Sequence, residues 1–268
     1  MADPIVHLLQ TEWHAITALV QDLTDEQWLL PTALPGWSVK DNLSHIIGTE
    51  RAFSGEPAPD VDISHLTYLT GPFPAAMEPW IEARRRVPAA EVAQEFVEVT
   101  DQRVATLAAM TDEEMSTVGW SPVGEVPYRQ FMRVRLFDCW MHEQDIRRAI
   151  GRAGHLDGPV VDVALERFAG ALGFVVGKKA GAPDGASVVF HISGPHPRDY
   201  CVVVDGRAAL VDAVSAPPTV TISLPLPSFV ALGGGRWTRG EAEAAGDLVV
   251  EGDPALGASV LANMAFTP

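Results

Sequence analysis

Two side chains that can bind a metal ion lie four residues apart near the middle of the sequence. Asp138 and His142 fall in a segment that we predict to be one long helix, from about Tyr128 to Ile150. Residues four apart on a helix leave the same face one turn apart, so a carboxylate and an imidazole at this spacing can bind one ion together. His45, in an amphipathic segment upstream, could supply a third ligand.

Together the three residues would form a zinc site of the catalytic type. Such a site has three protein ligands, drawn from histidine, cysteine and carboxylate side chains, and keeps a fourth position for water or substrate. Polar pairs at this spacing are also common on helix surfaces, and a lone histidine beside an apolar stripe, such as His45, is often an ordinary core residue. The interpretation therefore depends on whether the fold brings the three together.

Helical patterns in the first 154 residues predict the scaffold that would position these side chains. Apolar residues recur at helical spacing in four principal segments: 4–22, 39–53, 75–110 with a break at Pro88, and 128–150. Metal sites in four-helix bundles are built from inward-pointing side chains on facing helices. We therefore predict an all-α bundle with His45 on its second main helix and the pair on its last. The turn-rich stretch Gly55–Pro74 is predicted to be a long loop or lid.

The sequence pattern changes after Gly154, where a second domain is predicted. One more helix, Val160–Lys179, precedes short β-type runs that are separated by Gly-Pro, Asp-Gly and Pro-Pro turns. We therefore assign residues 1–154 to the helical bundle and residues 155–268 to a smaller α+β domain; 268 residues are ample for two domains. The predicted strands are Ser187–Ile192, Tyr200–Val204, Ala208–Val211, Thr219–Leu224 and Leu248–Glu251.

Composition argues against several classes of function. The formal net charge of −16 disfavours nucleic-acid binding, which needs a basic surface, and also disfavours adsorption to an anionic membrane. The sequence has no run of eighteen apolar residues and no signal-peptide pattern, so we expect no membrane span and no secretion. Its two cysteines, Cys139 and Cys201, lie far apart, which predicts a reduced, cytoplasmic protein. The sequence does not indicate an oligomeric state.

Two segments resemble the signature regions of a known enzyme family. Residues 35–48, PGWSVKDNLSHIIG, and residues 136–151, LFDCWMHEQDIRRAIG, are similar in order and separation to those of the mycothiol-dependent maleylpyruvate isomerase family. The resemblance implies a DinB-like metal-binding four-helix bundle followed by a sterol-carrier-like domain. It covers the N-terminal half well and the C-terminal half with looser motifs.

The resemblance also implies a metal and a cosubstrate. It implies a divalent ion, usually zinc, held by one histidine of the second helix and a carboxylate–histidine pair of the last, which correspond to His45, Asp138 and His142. The family pattern has glutamate at the position of Asp138, which is one methylene shorter. The metal would activate the sulfur of mycothiol or a related low-molecular-weight thiol for attack on a small-molecule electrophile, because a metal-bound thiol is deprotonated.

Several other residues have two interpretations. Arg236 follows three glycines and matches an arginine that assists catalysis in the family, so it is a candidate catalytic residue; the alternative is an exposed turn. Asp145 could orient the His142 imidazole or pair with a neighbouring arginine. Arg135 could hold a substrate carboxylate or pair with Asp138. Trp37 and Trp140 are predicted to be core residues.

Three functions remain in competition at this point. The first is a zinc-dependent enzyme that uses a low-molecular-weight thiol and acts as an S-transferase or as a maleylpyruvate-type cis–trans isomerase. The second is a non-catalytic small-molecule or lipid-binding protein, in which the α+β domain offers an apolar cavity. The third is a metal-dependent hydrolase on the same site, with a metal-bound water as the nucleophile.

Overall fold

Apolar residues at three- and four-residue spacing fold the first part of the chain into helices. The computed structural model describes residues 2–69, 71–246 and 248–267, without the side chain of Phe73, and separates into two units, Met1–His155 and Leu156–Pro268. A helical first unit followed by a smaller α+β unit confirms the predicted fold class. Within the described ranges, no helix has the length and apolar character needed to cross a bilayer.

Four long helices form the body of the first unit. α1, α5, α3 and α7 pack in a closed ring, each against two others, and α4 packs on α3. This is the predicted four-helix bundle. The strands β1 and β2 pair antiparallel just before the last long helix. The element bounds are α1 Pro4–Val20, α2 Asp25–Trp28, α3 Val39–Phe53, α4 Pro72–Glu82, α5 Ala89–Ala109, α6 Asp112–Ser116, β1 Val118–Gly119, β2 Val126–Pro127 and α7 Tyr128–Ala149.

A capping box fixes the start of α3, the helix that carries His45. The Ser38 hydroxyl accepts a hydrogen bond from the Asp41 backbone N–H, and the Asp41 carboxylate accepts one from the Ser38 backbone N–H at 2.8 Å. Such a cap contributes about 1 kcal/mol to helix stability. The register of α3, and with it the direction in which His45 points, is therefore set at its first turn.

Two helices of the first unit differ from the sequence prediction. α4 begins at Pro72, so the predicted Gly55–Pro74 loop ends earlier than expected. The short helix α6 was not predicted, although its signal is present: the Thr111 hydroxyl accepts from the Glu114 N–H, and the Glu114 carboxylate accepts from the Thr111 N–H. A capping box without a long apolar stripe after it is easily overlooked.

A five-stranded sheet forms the second unit, and its strand order is β5-β4-β3-β6-β7. β3 and β6 pair in parallel, whereas the other neighbours pair antiparallel. Its elements are α8 Pro159–Gly173, a π-helical continuation Phe174–Lys179, β3 Ser187–Ser193, β4 Arg198–Asp205, β5 Arg207–Val211, β6 Val220–Pro225, α9 Leu226–Gly233, α10 Arg239–Ala244, β7 Val249–Gly252 and α11 Pro254–Ala262.

The helices of the second unit cover the sheet and enclose an aromatic core. α8 contacts β4 and β5, α9 contacts β3 and β6, and α11 contacts β6 and β7. Phe168, Phe190 and Phe229 are buried; the Phe229 ring contacts the other two, and Tyr200 stacks on it. Of the elements here, the short α10 was not predicted.

Candidate metal centre

The three predicted ligands lie side by side in the bundle. Asp138 and His142 stand one turn apart on α7, and His45 is on α3, which packs against α7. One ligand atom of each lies within 4.8 Å of the others. Asp138 Oδ2 is 3.5 Å from His45 Nε2, and Asp138 Oδ1 is 3.7 Å from His142 Nε2. The shorter carboxylate of Asp138 therefore reaches both imidazoles.

The donor set and its spacing fit a divalent ion such as zinc. Two imidazole nitrogens and one carboxylate are a common catalytic zinc set, and bonds of about 2.0–2.1 Å place neighbouring donors of a tetrahedral site about 3.3 Å apart. The separations of 3.5 Å and 3.7 Å, each to a different oxygen of the Asp138 carboxylate, are close to that edge. The histidines are buried, whereas the Asp138 side chain is 33% exposed, so the site can be reached from solvent.

Asn42 determines which nitrogen of His142 carries the proton. The Asn42 amide Nδ2 donates to the Ser38 carbonyl at 2.9 Å, and a carbonyl can only accept, so Asn42 Oδ1 must face His142. This oxygen lies 2.8 Å from His142 Nδ1. In the neutral ring, Nδ1 therefore carries the proton, and the Nε2 lone pair points towards Asp138. A hydrogen bond from the second nitrogen orients metal-binding histidines in this way.

His45 is also presented in the form that binds metal. Burial lowers the pKa of His45 and outweighs the opposite effect of Asp138, so the imidazole is neutral at pH 7. Its Nδ1 is buried and has no hydrogen-bond partner in the part of the chain that the structure describes. A buried unpaired nitrogen is unfavourable, and a strong bond at the Nε2 of the same ring would offset that cost.

A buried charge network holds Asp138 in place. Arg135 donates to Glu50 Oε1 through Nε at 3.1 Å and Nη2 at 2.8 Å, and its Nη1 contacts Asp138 Oδ2. Glu50 Oε2 accepts from Arg103 at 3.0 Å. Burial opposes ionisation of Asp138, but the Arg135 guanidinium holds the pKa of that carboxyl well below its usual range. Arg135 therefore pairs with Asp138 and Glu50, the second of its two interpretations.

Trp37 forms one wall of the site, although we predicted it to be a core residue. Its ring centroid lies 5.2 Å from that of His45 and 5.8 Å from that of His142. The indole Nε1 donates to Glu78 Oε2 at 3.2 Å, which ties the wall to α4. Trp140, by contrast, is fully buried in the core, as predicted.

Three residues that contribute to the site escaped the sequence prediction: Asn42, Trp37 and Glu50. Asn42 and Trp37 lie inside the signature segment 35–48, so position in that segment was the available signal. For Glu50, two residues beyond the segment, the sequence offers no signal. Asp145 is 3.8 Å from His142 Nδ1 and 3.2 Å from Arg148 Nη1; of the two interpretations, the arginine pair is the closer contact.

Arg236 is placed in the second unit, whereas the three ligand candidates belong to the first. It lies in the turn between α9 and α10, where Nη1 donates to the Gly234 carbonyl at 2.6 Å. Gly235 has a φ of +68°, a conformation that suits glycine and shapes this turn. The catalytic role of Arg236 stays a prediction.

Two solved structures are similar in fold over most of the chain, and a third is matched over a smaller part. The crystal structure of the mycothiol-dependent maleylpyruvate isomerase is similar with a TM-score of 0.60 at 15% identity, over 92% of this chain and 91% of that chain. A histidine-to-alanine variant of it gives 0.55 at the same identity and coverage. Sterol carrier protein 2 like 2 from Aedes aegypti covers 38% of this chain and 96% of its own, with 21% identity and a TM-score of 0.31. Among curated proteins none matches significantly.

Family models match both units. The mycothiol maleylpyruvate isomerase N-terminal domain matches residues 9–147, and the MDMPI C-terminal domain matches residues 162–259. The first match alone spans more than half of the chain and includes the three predicted ligands. The resemblance inferred from the two signature segments is therefore confirmed: the chain belongs to the mycothiol-dependent maleylpyruvate isomerase family.

Proposed function

We propose that the chain is a zinc-dependent enzyme that uses mycothiol or a related low-molecular-weight thiol and acts as a maleylpyruvate-type cis–trans isomerase or as a thiol S-transferase. The observation that carries this proposal is the convergence of His45, Asp138 and His142, with a neutral imidazole at His45 and an ionised carboxylate at Asp138. Family membership supports the isomerase and the thiol.

The residues around the site would leave much of the positive charge of a bound divalent ion available to stabilise a thiolate. A bound divalent ion would supply a Lewis acid that keeps a thiol deprotonated at neutral pH. The imidazoles of His45 and His142 add no negative charge, and the single charge of Asp138 is offset by Arg135. Trp37 covers the imidazoles on one side and reduces access of water to them.

The protein's own cysteines are unsuited to be the nucleophile. Cys139 is 0% exposed, and burial raises the pKa of its thiol well above the usual range. Its sulfur accepts a hydrogen bond from Trp13 Nε1 at 3.4 Å, deep in the bundle. Cys201 is also buried. An external thiol is therefore the better candidate for the attacking group.

The two proposed activities differ in the fate of the thiol. In isomerisation the thiolate adds to one carbon of an electron-poor double bond, the carbon–carbon bond rotates, and the carbon–sulfur bond breaks again, so no thiol is consumed. In S-transfer the carbon–sulfur bond remains and the neighbouring carbon takes a proton, so one thiol is consumed per turnover. A hydrolase on this site would need no thiol.

The proposal is tested by metal content and thiol balance. We expect about one zinc per chain at this site and loss of that metal in His45→Ala and His142→Ala. The control is His14→Ala, an exposed histidine of α1, which keeps the metal. Circular dichroism checks that the variants are folded. A metal content that is the same in both ligand variants as in the wild type would refute the assignment.

The same preparations distinguish the activities. With maleylpyruvate and mycothiol, metal-dependent isomerisation at constant free thiol indicates the isomerase, and metal-dependent thiol loss with other electrophiles indicates the transferase. Turnover without thiol would support the hydrolase. A metal-free protein that co-purifies with an apolar molecule would support the binding protein.

A further inference from the structure

A second group of metal-binding side chains meets in the first unit. Glu12 lies on α1, Glu143 lies on α7, and His155 follows α7. One ligand atom of each lies within 4.8 Å of the others. His155 Nδ1 is 2.7 Å from Glu143 Oε2 and 3.5 Å from Glu12 Oε2. None of these atoms belongs to the His45–Asp138–His142 site.

The two carboxylates are buried without enough positive charge to balance them. Glu12 and Glu143 are both 0% exposed. Arg147 contacts Glu143 Oε1 through Nε at 2.8 Å and Nη2 at 2.7 Å. Both carboxylate oxygens of Glu12 are buried and have no hydrogen-bond partner within the described ranges. A buried carboxylate in this state is strongly unfavourable unless a proton or a cation joins it.

The backbone is held in a disfavoured conformation to bring His155 to these carboxylates. His155 has a φ of +52°, and it is the non-glycine residue with positive φ in the described ranges. Its carbonyl accepts from Trp140 Nε1 at 3.0 Å and from Gln144 Nε2 at 3.4 Å, so the chain folds back along α7. Strain of this kind, kept in place by its surroundings, commonly accompanies a functional side chain.

We propose that Glu12, Glu143 and His155 form a second divalent-cation site. Two carboxylates and one imidazole are a donor set that suits zinc, manganese and ferrous ions. The ion would satisfy the unpaired oxygens of Glu12 and neutralise the excess negative charge. The His155 side chain is 17% exposed, which gives the ion a path from solvent. An ion held here would tie α1, α7 and the end of the first unit together.

The competing arrangement is a proton shared between the two carboxylates, with His155 bridging them. The two arrangements differ in metal stoichiometry. We expect metal-depleted full-length protein, titrated with Zn²⁺ or Mn²⁺ and followed by native mass spectrometry, to bind two ions per chain. A wild-type count of none overturns the proposal, as does a count of one when that ion is lost in His142→Ala and kept in Glu12→Gln.

Variants assign the second ion. Glu12→Gln keeps the shape of the side chain, and we expect it to bind one ion fewer than the wild type, as should His155→Ala. Glu98→Gln, an exposed glutamate of α5, is the control and keeps the full count. A Glu12→Gln protein that retains both ions overturns the proposal. A variant that is more stable than the wild type in the absence of metal, with an unchanged ion count, also overturns it.

A third variant separates this site from the one that supports the proposed function. His142→Ala should lose one ion and keep the other, and in this background added Zn²⁺ should still raise the melting temperature. Combining His142→Ala with Glu12→Gln should abolish both the remaining ion and that rise. If the His45–Asp138–His142 group binds no metal, ions are lost only when Glu12 or His155 is changed. If the Glu12–Glu143–His155 group binds no metal, ions are lost only when His142 is changed.

Discussion

At the scale of single residues, the hydrogen bond between Asn42 and His142 has the clearest chemical effect. The Ser38 carbonyl fixes the Asn42 amide, the amide fixes the imidazole tautomer, and the tautomer presents Nε2 beside Asp138. Each link follows from donor and acceptor chemistry. A capping residue of α3 thus determines the proton position on a histidine of α7.

Replacing Asn42 tests this chain of contacts. In Asn42→Leu the His142 ring loses its acceptor, and we expect metal affinity to fall about 10–100-fold, as is typical when such an outer partner is removed. Asn42→Asp keeps an acceptor for Nδ1 and should retain more affinity. Competition with a chromophoric chelator measures both. Equal affinity in Asn42→Leu and the wild type would show that the tautomer is fixed by another group.

The three candidate ligands were predicted from the sequence, whereas the residues that support them were not. Spacing and the two signature segments identified His45, Asp138 and His142 from the sequence. Asn42, Glu50 and Trp37 could not be assigned roles, because those roles arise only when α3 faces α7 and α4 covers the loop before α3. The face of a helix on which a residue lies can be predicted from sequence spacing. Contacts between side chains of different helices cannot be predicted in this way.

At the scale of elements, one carboxylate links three helices of the bundle. Glu50 on α3 accepts from Arg103 on α5 and from Arg135 on α7, and all three side chains are buried. Arg135 in turn contacts Asp138. The position of the candidate ligand on α7 therefore depends on a charge that α3 supplies.

Removing that charge should destabilise the bundle strongly. Glu50→Gln leaves two buried guanidinium groups with less compensation, and we expect a loss of about 3–5 kcal/mol in the free energy of unfolding. The control is Glu56→Gln, whose partly exposed pair with Arg51 should contribute less than about 1 kcal/mol. Urea unfolding measures both. A similar small loss in the two variants would contradict this view of the network.

A tyrosine of the long loop between α3 and α4 is fixed next to the site wall. The Tyr68 ring occupies the space beside Gly36, where an added Cβ would lie 2.4 Å from a ring carbon. The Tyr68 hydroxyl donates to Glu78 Oε1 at 2.5 Å, and Glu78 also accepts from Trp37. The predicted lid is thus anchored at Tyr68 to the residues that hold Trp37.

Two glycine substitutions distinguish the effect of the close approach of Tyr68 to Gly36 from the effect of backbone strain. Gly36 and Gly55 have φ values of +78° and +85°, but only Gly36 is crowded by a neighbour. We expect Gly55→Ala to cost about 1–2 kcal/mol through its conformation alone. Gly36→Ala should cost about 1–3 kcal/mol more, because Tyr68 must move. Urea unfolding compares them, and equal costs would mean that the ring moves without penalty.

Element prediction succeeded where apolar periodicity was long and failed where it was short. The long helices α1, α3, α5 and α7 and strands β3 to β6 were predicted nearly at their observed bounds. The short α6 and α10 were missed. Both begin with a threonine–glutamate capping box, at Thr111 and Thr238. The sequence signal for their starts is therefore the capping residues and not an apolar stripe.

At the scale of the whole molecule, an ion bound at either proposed site would be coupled to stability. An ion that binds only the folded protein stabilises it by about 2.7 kcal/mol when free metal exceeds the dissociation constant a hundredfold. The ligands proposed here join α1, α3 and α7, so removal of metal should lower the stability of the helical unit.

Chelation measures that coupling. We expect treatment with EDTA to lower the melting temperature of the intact protein and added Zn²⁺ to restore it. The variant His45→Ala/His142→Ala/Glu12→Gln lacks one or more ligands of each proposed site and is the control that should show no response. A wild-type melting temperature unaffected by chelator, with metal removal verified by elemental analysis, would exclude a stabilising role for the ions.

The burial of both cysteines bears on how the protein would behave under oxidising conditions. Sulfur that oxidants cannot reach is spared sulfenic acid formation and mixed disulfides. If the external thiol is the reactive partner, peroxide or an alkylating agent would halt turnover by depleting that small molecule while leaving the polypeptide intact. Activity would then return as soon as the cell's reduced thiol pool recovered, with no repair of the enzyme itself.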